Sequence, residues 1–272
     1  MSNRSFIKWV GGKTRSLSQI LTKFPKDFNT YYEPFLGSGV VYFNLLPHDA
    51  VLGDIEENLA TAHRAVKNHP QDVCNYLKLL ENDEVVYYDV RNDFNHNPET
   101  VVGQKAAQFI YINKCGYNGL YRVNKSGAVN VSYGKRSGDP HRDLEIIHKC
   151  SKALQKARIM NTDYLEITKL SRKGDFVYLD PPYHKESSSS FTAYNSKEFS
   201  EGDHERLSKE FCHLTERGVK AALSNSDTDF IRDLYKNFYI YPIYTSRTVA
   251  TTVAGRLIAT ELLITNYDEG TV

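Results

Sequence analysis

Asp180-Pro181-Pro182-Tyr183 follows directly on the apolar run at residues 176–179. In open α/β sheets ligands sit beyond the carboxyl ends of strands, so the tetrapeptide falls where chemistry is expected. Two consecutive prolines fix φ and remove two N–H donors, leaving a rigid segment with outward-facing carbonyl acceptors. A carboxylate beside such a carbonyl can grip an NH2 group through its two donors. Tyr183 adds a flat face on which a planar ring can stack. A proline-terminated strand with a capping Asp reads the same way, so the string gains meaning only in company.

Two further strings supply that company. Glu33-Pro34-Phe35-Leu36-Gly37-Ser38-Gly39 begins like a dinucleotide-binding turn, but Tyr42 stands where Gly-x-Gly-x-x-Gly needs its third glycine. That disfavours a pyrophosphate cradle and, with it, a dehydrogenase. Asp54 ends the next apolar segment, where an acid can accept from ribose hydroxyls. S-adenosylmethionine meets these terms: it has a ribose and an adenine, no phosphate, and a sulfonium cation that carboxylates favour. An ordinary βα turn meets them too. Lys8-Trp9-Val10-Gly11-Gly12-Lys13 holds the only tryptophan of the chain. An aromatic wall and a cation there suit the carboxylate of a zwitterionic ligand, although a lone Trp is also a common core residue.

These residues need a scaffold. Leu17, Ile20, Leu21 and Phe24 predict a helix over residues 13–24, and residues 30–33 form a strand pattern. The glycine turn at 34–39 opens a buried helix over 40–46, and 50–54 is a short strand ending in an acid. Strand, glycine turn, helix, strand, acid is half of a nucleotide-binding sheet. From residue 57 to 142 the apolar spacing turns helical, as in Val73, Tyr76, Leu77 and Leu80, or Ala106, Phe109, Ile110 and Asn113. A Gly/Asn/Ser-rich patch at 116–134 reads as loop and β-hairpin turning at Lys125-Ser126-Gly127. Strand patterns return at 175–179, 220–224 and 261–265, with a helix over 205–216. The expectation is one α/β domain interrupted by a mostly helical insertion.

Composition narrows the class. The 272 residues are 40% hydrophobic and 25% charged, a mixture that folds as a soluble globule. No apolar run approaches the roughly 20 residues that cross a bilayer, and Lys8 comes too early for a signal-peptide core. Cys74, Cys115, Cys150 and Cys212 form no Cys-x-x-Cys pair, and the nine histidines no His-x-x-x-His pair. Reduced core cysteines and no metal are expected. Net charge is +1, but residues 101–142 carry seven Lys/Arg against the single acid Asp139. Residues 81–99 before them carry six acids against the single Arg91. A concentrated basic segment suits a polyanion partner, and equally a solvated face.

In this order, with a basic insertion between Asp54 and Asp180, the strings resemble the Dam-type DNA adenine-N6 methyltransferases. These belong to the amino-methyltransferase group with its recognition domain between the cofactor motif and Asp-Pro-Pro-Tyr. The resemblance runs from Phe6 to about Tyr267 and includes Asn113-Lys114-Cys115-Gly116-Tyr117-Asn118-Gly119-Leu120-Tyr121-Arg122 and Asn130-Val131-Ser132-Tyr133-Gly134. It also includes Phe191-Thr192-Ala193-Tyr194 and Leu223-Ser224-Asn225-Ser226-Asp227. It implies a Rossmann-like S-adenosylmethionine-dependent methyltransferase sheet over residues 1–56 and 143–272. Residues 57–142 would be the inserted, mostly helical target-recognition domain carrying a β-hairpin.

By the same resemblance Trp9, Lys13, Asp54 and Asp180 contact S-adenosylmethionine, and Phe35 and Asp163 flank its adenine. Asp180, Pro181 and Tyr183 are the catalytic positions. Lys8, Tyr117, Asn118, Leu120 and Arg122 meet DNA bases, Arg91 meets the backbone, and the usual site is GATC. Val10 stands where alanine is usual, Ser132-Tyr133 where Pro-Phe is usual, and Lys135-Arg136 precede no aromatic. The chemistry is thus implied more narrowly than the recognition sequence. The expected setting is a monomer on double-stranded DNA in the cytoplasm, bacterial or phage-encoded, with no membrane contact.

Adenine's amine is paired inside a duplex, so the base must be extruded. No proline precedes a cysteine, which disfavours cytosine C5 methylation. Asp180 disfavours protein-glutamine methylation, where Asn is usual. RNA adenine methylation would share the active site. A catalytically inactive DNA-binding module would show damage at a cofactor or catalytic position, and none is visible.

Overall fold

The computed structural model describes residues 4–97, 100–135, 144–185, 199–245 and 258–268. Residues 187–194, with their serine tract and Phe-Thr-Ala-Tyr string, lie outside that set, as do Arg136, Asp139 and Arg142. The strands are β1 (Tyr31–Glu33), β2 (Ala50–Asp54), β3 (Ala157–Asn161), β4 (Phe176–Leu179), β5 (Lys220–Asn225), β6 (Tyr239–Thr245) and β7 (Ile258–Thr265). They form one sheet in the order β3-β2-β1-β4-β5-β7-β6. The first five are parallel, while β7 runs antiparallel to both β5 and β6.

Each strand feeds two cores, because successive side chains point to opposite faces. Tyr31, Phe176, Tyr178 and Ala222 enter one apolar cluster, and Tyr32, Val177, Leu179, Ala221 and Leu223 the other. Burial on both faces explains why these strands read as unbroken apolar runs. Helix α9 (Glu201–Glu216) covers the second face through Leu207, Phe211 and Leu214. It starts one turn before the expected residue 205, because Ser200 and Asp203 close a capping box. Helix α1 (Leu17–Thr22) is shorter than expected, since residues 14–16 are turn.

The first cluster does not stop at the sheet. It continues through α2 (Val40–Leu45), α3 (Glu57–Asn68), α4 (Pro70–Lys78), α5 (Glu84–His96), α6 (Val102–Cys115) and α7 (Leu144–Leu154). Leu52 on the sheet, Leu59 on α3, Phe109 on α6 and Ile147 on α7 belong to one apolar mass. Cys74, Cys115 and Cys150 are free thiols within it, whereas Cys212 is exposed on α9, unlike the core position expected. After α6 a short 3-10 turn, Tyr117–Gly119, leads into the hairpin. Only two isolated bridges pair its arms, Gly116 with Tyr133 and Val123 with Val129. Its turn is organised by Asn124, whose Oδ1 accepts from the backbone N–H groups of Ser126 and Ala128, both at 3.0 Å. No helix among the described residues is long and apolar enough to cross a membrane.

Candidate active site

Glu33, Asp54, Asn161 and Asn225 end β1, β2, β3 and β5, and Asp180 follows β4 directly. Five parallel strands thus present polar termini along one edge. Strand order reverses between β1 and β4, where such sheets open a crevice. Lys13 lies there, its Nζ 2.6 Å from Asp180 Oδ1 and 2.8 Å from the carbonyl of Gly11. The lysine side chain keeps 4% exposure and the aspartate 18%, so Lys13 is buried while Asp180 keeps some access to solvent. Lys13 Nζ also sits 4.7 Å above the Tyr183 ring, a cation–π contact.

Two further carboxylates crowd this pair. Burial pushes the Asp180 carboxyl up to about 6; Lys13 pulls against that shift and Glu261 adds to it. Burial pushes Glu33 up to about 8, although the Tyr31 hydroxyl donates to it at 2.9 Å. Burial thus favours the neutral form of Glu33 more strongly than that of Asp180, whose negative charge Lys13 stabilises. Tyr183 donates its hydroxyl to Glu261 on β7. Neither glutamate carries a role in the sequence reading, although Glu33 opens the glycine-turn string and Glu261 opens the apolar Glu261-Leu262-Leu263-Ile264 run, both readable signals. The segment after Tyr183 is fastened to β5: His184 N–H donates to Asn225 Oδ1 at 3.0 Å, and Ser226 Oγ to the His184 carbonyl at 2.6 Å.

Along the same edge Asp54 Oδ2 accepts from Gly37 N–H and Oδ1 from Glu56 N–H, each at 3.0 Å. Burial raises its pKa while these bonds oppose the rise. Each oxygen retains a lone pair for one more donor. Gly37 adopts φ +50, and a Cβ on it would come within 3.0 Å of Trp9 Cδ1; the turn holds only because glycine is there. Trp9 is half-buried, stacked on Tyr121 at 5.6 Å and 27°. Phe35 stacks on Tyr164 at 5.2 Å. Asp163 caps α8 (Tyr164–Thr168) through Leu165 N–H, and both its oxygens accept from Arg206 at 3.1 Å. Ile55, which sequence analysis passed over, is an exposed apolar side chain next to Asp54.

His63 on α3 supports this turn from beneath. It is fully buried, its Nε2 lies 3.0 Å from the Gly37 carbonyl, and burial lowers its pKa to about 4. A carbonyl only accepts, so the proton is assigned to Nε2. His63→Ala is expected to destabilise the fold by about 2–4 kcal/mol, from the cavity plus an unpaired carbonyl. The unfolded histidine protonates near pH 6.5 but the folded one only near 4. Its contribution is thus present above about 6.5 and is lost as pH falls towards 4. The gap between wild type and variant in urea midpoint should narrow over that window.

A second set of residues faces outward. Lys8, Tyr117, Asn118, Leu120 and Arg122 are all exposed, Tyr117 at 57% although it is a large aromatic. Asn113, buried at the end of α6, ties the Lys8 backbone to the 117–119 turn. Its Oδ1 accepts from Lys8 N–H at 2.9 Å, and its Nδ2 donates to the carbonyls of Lys8 at 2.9 Å and Gly119 at 3.1 Å. Gly119, at φ +66, passes so close to Lys8 that a Cβ would lie 2.7 Å from its Cδ. Arg122 is held by Asn130 across the hairpin, Nε to Oδ1 at 2.8 Å. Arg91 reaches the hairpin rather than open solvent, donating from Nη1 to the Val131 carbonyl at 2.7 Å.

A mostly parallel seven-stranded sheet in this order, with its acids gathered at the carboxyl edge, is a Rossmann-like methyltransferase fold. The chain belongs to the D12 class of N6 adenine-specific DNA methyltransferases, whose family model matches residues 9–249. It is an adenine-specific DNA methyltransferase. It is 35% identical over 271 residues to the type II methyltransferase M1.LlaDCHI of Lactococcus lactis subsp. cremoris, covering 97% of this chain and 95% of that protein. It is 37% identical over 289 residues to type II methyltransferase M.MjaIII of Methanocaldococcus jannaschii, covering 98% and 100%. The DNA adenine methylase of Escherichia coli K12 is 31% identical over 266 residues, covering 96% and 94%.

Proposed function

We propose that this protein transfers a methyl group from S-adenosylmethionine to the exocyclic amine of an adenine extruded from duplex DNA, within GATC. The observation that carries the reading is the Asp180 carboxylate at the strand-order reversal, flanked by the Tyr183 ring and the Pro181 carbonyl. The amine's lone pair is delocalised into the ring, which makes it a weak nucleophile. Accepting its two N–H groups on the Asp180 carboxylate and the Pro181 carbonyl favours a pyramidal nitrogen with its lone pair directed outward. The catalysis is positioning and electrostatics, with no covalent link to the protein. Extrusion costs on the order of a few kcal/mol, and stacking on Tyr183 returns about 1–3 kcal/mol.

S-adenosylmethionine, when bound, supplies an electrophilic methyl group beside a positive charge. The residues present fit it. Asp54 has lone pairs free for a ribose diol, Trp9, Phe35 and Ile55 offer apolar faces, and the Gly37 turn lacks the third glycine of a phosphate cradle. Lys13 and Asp163 complete that side in this reading. Lys8, Tyr117, Asn118, Leu120 and Arg122 form the base-reading face, with Arg91 beside the backbone, on a recognition part spanning residues 57–142. The protein acts as a cytoplasmic monomer in this reading. The test incubates it with labelled S-adenosylmethionine and a randomised duplex library, then maps the labelled base. N6-labelled adenine in one sequence context is expected. Label on cytosine, or none on the duplex while a parallel RNA library is labelled, or none on either, would sink the reading.

The same site carries a pH signature. Gripping the amine requires the Asp180 carboxylate, so kcat/KM should fall on the acid side with a single ionisation near the free enzyme's value of about 6. Lys13 holds that value down, so Lys13→Met should move the acid limb to higher pH. A limb that stays in place would separate it from Asp180.

A further inference from the structure

One side chain joins the two halves of this site. Tyr121 lies between Leu120 and Arg122 in sequence, yet points the other way. Its ring stacks on Trp9 at 5.6 Å and meets Phe109 edge-on at 5.2 Å. Its hydroxyl donates to Glu56 Oε1 at 3.3 Å and accepts from Asn58 Nδ2 at 2.9 Å. Glu56 in turn donates its backbone N–H to Asp54 Oδ1 at 3.0 Å, and its side chain caps α3 by accepting from Asn58 N–H. Two bonded steps therefore run from a residue between two exposed hairpin positions to the acid that ends β2. Trp9, which Tyr121 covers, is itself in contact with the Gly37 turn that donates to the same acid.

We propose that Tyr121 is a positioning residue that couples occupancy of the hairpin by DNA to the affinity of the cofactor half-site. The proposal rests on the assignment of the hairpin to DNA and of the Asp54 edge to the cofactor. Seating Leu120 and Arg122 on a duplex fixes the backbone on either side of Tyr121. That fixes its ring over Trp9 and its hydroxyl against Glu56, so the cofactor half-site is already ordered when its ligand arrives. Linkage requires the converse: bound cofactor tightens duplex binding by the same factor. A chain of contacts marks a route, and a thermodynamic cycle measures whether free energy passes along it.

The experiment measures the Kd of S-adenosylhomocysteine with and without a saturating duplex carrying the mapped site. In the wild type the duplex should tighten this Kd by about fivefold or more, the lower end of ordinary coupling. Tyr121→Phe keeps the stack and removes both hydroxyl bonds; its duplex-free Kd should stay close to wild type while the ratio collapses towards one. Glu56→Ala should lower the ratio too, and the double variant should be no lower than the lower single, since both cut one route. A merely structural role would shift thermal stability and both affinities together, leaving the ratio alone. A wild-type ratio of one, or an unchanged ratio in Tyr121→Phe, overturns the proposal. If Lys8→Ala with Arg122→Ala leaves duplex affinity unchanged, the hairpin assignment itself fails and takes the coupling with it. A hairpin-dependent duplex complex whose ratio survives Tyr121→Phe removes the coupling alone.

Discussion

Asp180→Ala is expected to lower the methyl-transfer rate by at least about 10²–10³-fold, the usual loss when one preorganised electrostatic partner is taken from a reaction centre. Duplex affinity should change little, because the exposed hairpin residues do not touch Asp180. The substitution also leaves Lys13, at 4% exposure, without its carboxylate partner, and a buried unpaired charge is costly. Asp180→Asn therefore belongs in the same experiment. It keeps a carbonyl acceptor and nearly the same volume, so its folded fraction can be checked independently while the negative charge is absent. Single-turnover rates with prebound duplex read the chemical step directly. Substantial turnover in both variants would remove Asp180 from the amine-gripping role.

Arg122→Ala is expected to reduce discrimination between the preferred duplex and single-base variants by about 1–3 kcal/mol. The guanidinium is tethered to Asn130 through Nε to Oδ1 at 2.8 Å and Nη2 to the carbonyl at 3.3 Å; in the proposed reading Nη1 and the second Nη2 hydrogen meet the guanine edge. The hairpin should survive the change, since its arms are joined by main-chain bonds such as Tyr117 N–H to the Ser132 carbonyl at 2.8 Å. Lys8→Ala is the useful contrast. A loss shared evenly by all sequences marks a phosphate contact, whereas a loss at one position marks base reading. Competition binding against a panel of duplexes distinguishes the two. Equal discrimination by Arg122→Ala and wild type would take Arg122 off the list of base readers.

Much of the edge that carries the chemistry was legible because each acid adjoins its own strand. Asp54 and Asp180 directly follow apolar segments, so locating the strand locates the carboxylate. Strands with weaker patterns escaped. β3 is Ala-Arg-Ile-Met-Asn with only Ala157 buried, β6 contains Pro242, and both lie at the sheet edges, so neither reads as a core strand. Contacts across long sequence distances were out of reach in principle. The meeting of Lys13 with Asp180, and of Trp9 with Tyr121, depends on how the sheet and the inserted helices assemble. Asp163 shows the opposite limit: its position was named, but its pairing with Arg206 of α9 depends on a contact 43 residues away in sequence. Arg91 likewise was given to DNA, and in the fold it donates to the hairpin carbonyl of Val131.

The apolar mass running unbroken from Leu52 through Leu59 and Phe109 to Ile147 limits how this protein can be re-engineered. Swapping residues 57–142 for a relative's segment would cut across interdigitated side chains, because α3 belongs to both neighbours at once. On the proposed reading, sequence preference should therefore be retargeted by changing hairpin side chains in place, and heating should melt residues 57–142 and the sheet together in a single transition.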